Sequence, residues 1–248
     1  MTTSPREEVL ELSVLVPCYD EAANIAQLVT RVGAVLDVMV APGAAELVLV
    51  DDGSSDETFA LATRAAGEHP FVVVVRHPQN RGLEAAWNTG LRASRGRWVC
   101  ILDADLQYRP EDLPRLRDAQ RASGADIAQG WRSPVGRRRD VRYLLSRGLS
   151  VLLNALFGMR LHDNKSGFLL CRRETLAALL DHQGHYAYWQ LFLLVAAHTR
   201  GFTITEVETA FDDRAGGRSF LPSVPVTATA RALRDVARAV AELGPVRP

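Results

Sequence analysis

Trp98-Val99-Cys100-Ile101-Leu102-Asp103-Ala104-Asp105-Leu106-Gln107 is an apolar run that climbs straight into two carboxylates separated by one small residue. The run reads as a strand covered on both faces, the pattern of a parallel sheet. In extended backbone, residues i and i+2 point to the same side, so Asp103 and Asp105 can converge on one cation. Hard carboxylate oxygens suit Mg2+ or Mn2+, ions that keep positions open for water and substrate phosphates. On its own an Asp-x-Asp is also an ordinary solvated turn after a strand. The rest of the chain decides between the two.

Upstream, residues 12–16, 46–50 and 71–75 are further apolar runs of strand length. Between the runs, 21–38, 58–67 and 84–94 carry helical spacing and helix-forming residues. The alternation predicts an α/β fold, an open and mostly parallel twisted sheet with helices on both faces. Ligands of such sheets sit beyond the carboxyl ends of the strands. There the chain reads Pro17-Cys18-Tyr19-Asp20-Glu21, Asp51-Asp52-Gly53-Ser54-Ser55-Asp56, Arg76-His77-Pro78-Gln79-Asn80-Arg81-Gly82, and then Asp103-Ala104-Asp105. Any one is ordinary turn or cap chemistry. Four on one sheet edge predict a binding cleft.

The second half is less regular. Residues 126–130 read as another strand, leading to Trp131-Arg132 and the basic run Arg137-Arg138-Arg139. Residues 143–158 form a helix with one broad apolar face, open to core packing or to a membrane interface. Asp163-Asn164-Lys165-Ser166-Gly167-Phe168 interrupts that pattern and 169–171 resumes it. Residues 186–199 read as a buried helix and 202–207 as a late strand, followed by Arg214-Ala215-Gly216-Gly217-Arg218-Ser219. Residues 226–243 are a final amphipathic helix. No internal repeat or linker divides the chain, so 1–248 is expected to be one domain.

Composition narrows the function classes. Acidic and basic residues number 29 each, which argues against nucleic acid or another polyanion as partner. Lys165 is the only lysine, so the basic groups are nearly all arginine forks suited to phosphate. Cys18, Cys100 and Cys171 are scattered without metal or disulfide spacing, which fits a reducing compartment. His77, His162, His182, His185 and His198 show no metal-ligand spacing. Residues 1–12 lack an apolar signal core, and no run reaches the roughly 18–20 apolar residues of a membrane span. The expected location is cytoplasmic, with peripheral attachment to the cytoplasmic membrane face left open.

Taken together, the strand-end motifs resemble the GT-A (Rossmann-like) glycosyltransferases of family 2, inverting enzymes that use nucleotide sugars. The resemblance covers residues 12–219 and lies nearest the dolichyl- and polyprenyl-phosphate mannosyl- or glucosyltransferase branch. It rests on Pro17 to Glu21, Val50 to Asp56, Asn80-Arg81-Gly82-Leu83, Asp103 to Gln107, Gly130-Trp131-Arg132 and Ser166-Gly167-Phe168. It implies a nucleotide-sugar half over about 10–107, an acceptor-side half over about 108–225, and the C-terminal helix at about 226–243. It implies that Pro17, Tyr19 and Glu21 line the base and ribose pocket, that Asp52 contacts the nucleoside, and that Asn80, Gly82 and Ser166 belong to the substrate site. Asp103, Asp105 and Gln107 would hold Mg2+ or Mn2+ on the donor diphosphate. Arg132 and Arg214 would assist in the phosphate region by bidentate pairing, and Arg218 would compensate for the cation that the branch carries two residues later. A nucleotidyltransferase is discounted because Pro17 to Glu21 is not a Gly-rich phosphate loop. A non-catalytic nucleotide-sugar-binding partner subunit is the reading of another class, and a homodimer stays open.

The acceptor divides the readings. A polyprenyl phosphate is already anionic and needs no protein base, whereas a hydroxyl must lose its proton to a positioned group. No acidic pair stands out after the metal motif, which favours polyprenyl phosphate, and hexose transfer from a UDP- or GDP-sugar to that acceptor is the leading expectation. The alternative is the same chemistry on a hydroxyl of a soluble small molecule or natural-product glycoside, with Asp163 as base. Two departures from the branch point that way. Phe220 stands where the family has lysine after Arg218-Ser219, and Lys165 stands where it has threonine before Ser-Gly-Phe.

Overall fold

Three consecutive strands set the frame. β1 (Leu10–Cys18), β2 (Ala45–Asp51) and β3 (Val72–Arg76) pair in parallel, and β4 (Gly96–Ile101) lies parallel to β1 on its other side. β5 (Ile127–Arg132) and β7 (Ile204–Thr209) also pair in parallel. β6 (Leu169–Arg172) runs antiparallel between β4 and β5 and joins the two halves into one seven-stranded sheet, in the order β3-β2-β1-β4-β6-β5-β7. The protein is described here from a computed structural model over residues 9–133, 141–182, 186, 188–212 and 226–244.

The strands are apolar on both sides because both sides are covered. Leu12, Val14, Leu47, Leu49, Trp98 and Cys100 point to one face, where they meet α1 (Ala22–Met39), α2 (Thr58–Glu68) and α4 (Leu113–Ser123). Leu15, Val99 and Ile101 point to the other, toward α3 (Leu83–Ala93), α5 (Val141–Phe157), α6 (Arg173–Leu180), α7 (Leu193–Thr199) and α8 (Val226–Leu243). Fully burying each leucine- or valine-sized side chain contributes about 1.5–3 kcal/mol. Close contact sets composition too. A Cβ at Gly90 of α3 would lie 2.6 Å from Leu15 Cγ, so glycine there lets α3 sit down on β1.

This is the expected fold, a mostly parallel twisted sheet between two helical layers. Four details differ from the sequence reading. Residues 169–172 are an antiparallel strand followed at once by α6. α4 is an additional helix, introduced by Pro110 in a 3-10 turn at Pro110–Asp112. The expected helix over 186–199 is confined to a 3-10 turn at Trp189–Leu191 and to α7. By length and composition α1 could cross a membrane, yet Ile25, Leu28, Val29, Val32, Val35 and Leu36 are buried against the sheet, so it is a core helix.

Topology delivers the site. The carboxyl ends of β1, β2, β3, β4, β5 and β7 lie at one edge, and because β6 is reversed, the residues entering it, 166–168, reach that same edge. The acceptor-side motif therefore faces the Asp-x-Asp motif across the end of the sheet.

Candidate active site at the strand ends

The loops after β1 and β2 are tied to each other before any ligand is considered. Asp20 takes a left-handed conformation, φ 54°, which a short polar side chain tolerates. Its backbone N–H donates to Ser54 Oγ at 3.0 Å, and its carboxylate accepts the Ser55 N–H at 2.8 Å. Asp56 reaches back to accept the Ala22 N–H at 3.1 Å. Burial acts against its charge, but hydrogen bonds from Thr58 and Ala22 outweigh it and hold its pKa below the ordinary value. Glu21 is buried and accepts Asn24 Nδ2, while its N–H donates to Thr58 Oγ1 at 2.8 Å. Tyr19 stands 40% exposed at the rim with Pro17 behind it, open to stack on a planar group.

Asp52 is committed to the β3–α3 connection. Its two oxygens accept the N–H groups of Arg81 and Gly82 at 2.9 and 2.8 Å, and Oδ1 lies 2.6 Å from His77 Nδ1. Gly82 is left-handed at φ 88° and opens α3, while Asn80 beside it is exposed. A Cβ on Gly53 would lie 2.3 Å from the Gln79 carbonyl carbon, so the β2 and β3 loops touch backbone to backbone. His77, which sequence reasoning set aside, is thus a buried hinge pin between Asp52 and Thr89, its Nε2 2.8 Å from the threonine hydroxyl. Nothing in its spacing announced that.

Asp103 and Asp105 follow β4 in a tight turn. Asp105 is buried and its Oδ1 accepts the Gln107 N–H at 3.1 Å. Leu106 between them is left-handed at φ 58°, a conformation that costs a non-glycine residue roughly 1–2 kcal/mol. Its buried side chain holds it there. Asp103 lies directly under Gly167, where a Cβ would come within 2.1 Å of its Oδ2. The Gln107 amide donates to the Asp212 carbonyl at 3.2 Å, and Gln107 O accepts the Asp212 N–H at 2.9 Å. Among the described residues no group of three or more His, Cys, Asp or Glu side chains could enclose a metal. A cation at Asp103 and Asp105 would therefore draw its remaining ligands from Gln107, water and a bound diphosphate, which is how Mg2+ and Mn2+ are commonly held.

Opposite these carboxylates, Arg132 and Asp163 form a fork. Nε–Oδ2 is 2.5 Å and Nη2–Oδ1 is 3.0 Å, with side chains 17% and 8% exposed. Lys165 Nζ lies 3.7 Å from Asp163 Oδ1 and donates to Ser146 O on α5 at 2.9 Å. Burial alone would raise the Asp163 pKa, but the Arg132 charge and hydrogen bonds, aided by Lys165, hold it below the ordinary value. Burial likewise opposes the charge on Arg132, and the Asp163 carboxylate, through its charge and hydrogen bonds, more than restores it, with Asp103 adding to the effect. Burial pushes the Tyr108 phenol well up, so it stays protonated. Ser166 turns its hydroxyl inward, onto the Gly130 and Phe168 carbonyls. Glu206 on β7 clamps the same loop, accepting the His162 N–H at 2.9 Å and Gln129 Nε2 at 2.7 Å. Arg214, Arg218, Phe220 and Arg137 to Arg139 lie outside the described residues.

The comparisons with known proteins agree with this geometry. Residues 13–180 match the family model of glycosyl transferase family 2. The polyprenol monophosphomannose synthase of Mycolicibacterium smegmatis is 34% identical over 230 residues, 88% of this chain and 82% of its own length. The dodecaprenyl-phosphate galacturonate synthase of Rhizobium johnstonii is 33% identical over 65% of this chain, which spans only 47% of that relative. Glucosyl-3-phosphoglycerate synthase from Mycobacterium tuberculosis, solved with Mn2+, uridine diphosphate and phosphoglyceric acid, superposes with a TM-score of 0.69 at 21% identity, over 96% of this chain and 80% of its own. That structure corrects the expected placement in the polyprenyl-phosphate branch, and with it polyprenyl phosphate as the leading acceptor. That structure holds phosphoglyceric acid rather than a polyprenyl phosphate, and Lys165, the branch departure that can be seen, is turned onto α5.

Proposed function

The chain belongs to glycosyl transferase family 2, and from that premise we propose that it moves a hexose from a UDP-sugar to a hydroxyl of a soluble small molecule, with Mg2+ or Mn2+ at Asp103 and Asp105. The observation that carries this reading is the Asp103 carboxylate under Gly167, with Asp105 two residues on in the same turn, at the sheet edge that also carries the Arg132–Asp163 fork. The ion, when bound, neutralises charge on the departing nucleotide. Tyr19, Pro17 and Glu21 line the base side, with Asn80 and Gly82 on the neighbouring rim. Asp52 acts by fixing that rim through Arg81, Gly82 and His77.

Arg132 supplies positive charge at the diphosphate, and Asp163 is its positioning partner. A carboxylate held low in pKa by two cations is a poor proton acceptor. As the acceptor oxygen bonds to the anomeric carbon and the sugar–diphosphate bond breaks, the hydroxyl's proton passes to the departing diphosphate, which gains the charge, rather than to Asp163. The related structure's phosphoglyceric acid supports a small soluble acceptor, and a single sheet supports reading 1–248 as one catalytic domain.

The test is a transfer assay with radiolabelled UDP- and GDP-hexoses, Mg2+ or Mn2+, and two acceptor pools, a water-soluble extract and a polyprenyl phosphate in detergent. Label from a UDP-sugar should enter a water-soluble product. Label confined to the organic phase would overturn the acceptor, and nucleotide release that ignores the metal would overturn the Asp103–Asp105 assignment.

A further inference from the structure

Five of the large apolar side chains exposed among the described residues lie on α5: Val141 (68% exposed), Leu144 (61%), Leu145 (44%), Val151 (62%) and Leu152 (37%). Their positions, with the exposed Gly148 and Ala155 between and after them, follow helical spacing and make one continuous stripe. The stripe runs the length of a helix of 17 residues, about 25 Å. The opposite face of α5 is satisfied, with Ser150, Leu153 and Phe157 buried against the core. A stripe of this size on a soluble surface marks an interaction site.

Charge selects the occupant. Residues 141–160 contain no Asp or Glu and three arginines, of which Arg147 and Arg160 are exposed. A second copy docked on this face through a twofold would bring α5 against α5, with no acidic side chain on either to meet those arginines. An anionic lipid surface meets both requirements at once, taking the apolar stripe into the acyl boundary and the arginines into the headgroups. We propose that α5 is a docking face for an anionic membrane surface. This inference does not depend on the acceptor proposed above.

The face is wired to the site. Lys165 donates to Ser146 O and Ser150 Oγ on α5, and Asn154 of α5 bonds both Asn164, at 3.0 Å, and the Leu161 carbonyl, at 2.8 Å. Seating α5 on a surface therefore holds the 161–166 segment, and with it the Arg132–Asp163 fork, at a set distance from that surface.

The experiment is flotation of the full chain with vesicles of phosphatidylcholine alone or mixed equally with phosphatidylglycerol. The protein should float with the mixed vesicles, not with the neutral ones, and detach as salt is raised. Leu144→Glu and Val151→Glu, both at exposed positions, should each lower the partition constant at least about tenfold, the lower end of the loss expected for one buried leucine-sized side chain. Arg147→Glu should lower it too, and what partition remains should depend less on salt. All three should keep the native melting temperature and hexose transfer to a soluble acceptor. No flotation of the native protein overturns the proposal, as does flotation unchanged in the variants. A dimer in solution that Leu144→Glu dissociates, without vesicle binding, overturns it in favour of a second copy.

Discussion

A single missing side chain defines the space at the Asp-x-Asp motif. Gly167 is not left-handed, so alanine is conformationally acceptable there, and what forbids it is Asp103 at 2.1 Å from the new Cβ. Gly167→Ala must displace the carboxylate or the 163–168 loop. The expected outcome is a folded protein with hexose transfer reduced at least about a hundredfold, the scale of misplacing a catalytic group by an ångström. Circular dichroism together with turnover checks it, and retained turnover would remove Asp103 from the metal site. Asp163 offers a second reading at this scale. Its folded pKa lies below the ordinary 3.8, so the fork's stabilisation is fully present above pH 3.8 and is lost as the pH falls through the depressed value. Asp163→Asn leaves Arg132 and Lys165 facing each other without the carboxylate, at a cost of about 3–5 kcal/mol near neutral pH. Urea melts should show that gap narrowing in acid, because the native protein loses what the variant never had. A gap independent of pH would mean that the lost energy is packing.

At the scale of elements, the segment after β7 is latched to the metal turn. Tyr108 and Phe211 form an isolated antiparallel bridge with edge-on rings 5.0 Å apart, and Phe211 lies 5.4 Å below the Arg132 guanidinium. Arg109 grips Asp212 through Nε and Nη2, at 2.6 and 2.7 Å. Both side chains are nearly half exposed, so the pair adds at most about 1 kcal/mol to stability. Its effect should instead fall on the donor. Asp212→Ala is expected to raise the KM for nucleotide sugar two- to fivefold, roughly that same free energy, with kcat and melting temperature nearly unchanged. Asp212→Glu should restore it. A fall in kcat alone would show that the latch serves chemistry rather than binding. No sequence pattern marked this contact, because its two sides lie 103 residues apart and neither carries a motif. Elsewhere legibility followed burial. β1 to β4 and the helices between them were readable because both faces of each strand are covered and the apolar runs are continuous. α4 was not, since Leu113, Leu116 and Gln120 are its only buried residues. β6 was not, since its four residues run straight into α6 with no turn residue between the two elements. Of the candidate residues, Asp103, Asp105 and Arg132 stand at the predicted edge. Asp52 and Ser166 stand there too but spend their polar atoms on neighbouring loops, which composition and spacing do not reveal.

At the scale of the whole molecule, the site joins two halves of one sheet. Asp103 and Asp105 follow β4, Arg132 ends β5, and the reversed β6 is the strand between them. A ligand that bridges the carboxylates and the arginine therefore links strands contributed by both halves of the chain, and it binds the native state alone. Such binding stabilises by mass action, about 2.7 kcal/mol at a free ligand concentration a hundredfold above Kd. For a chain of this length that is a rise of roughly 5–10 °C in melting temperature. UDP with Mn2+ is the probe, and the two should act together, with UDP alone or Mn2+ alone producing little because each supplies the other's missing ligands. Asp103→Asn and Asp105→Asn should abolish the joint shift while melting within a few degrees of the native protein, since each exchange keeps the side chain's size and removes only its charge. A joint shift that survives both substitutions would move the cation away from the turn after β4. A UDP shift of full size without metal would show that Arg132 and its neighbours hold the diphosphate without metal, and that the two carboxylates answer to some other group.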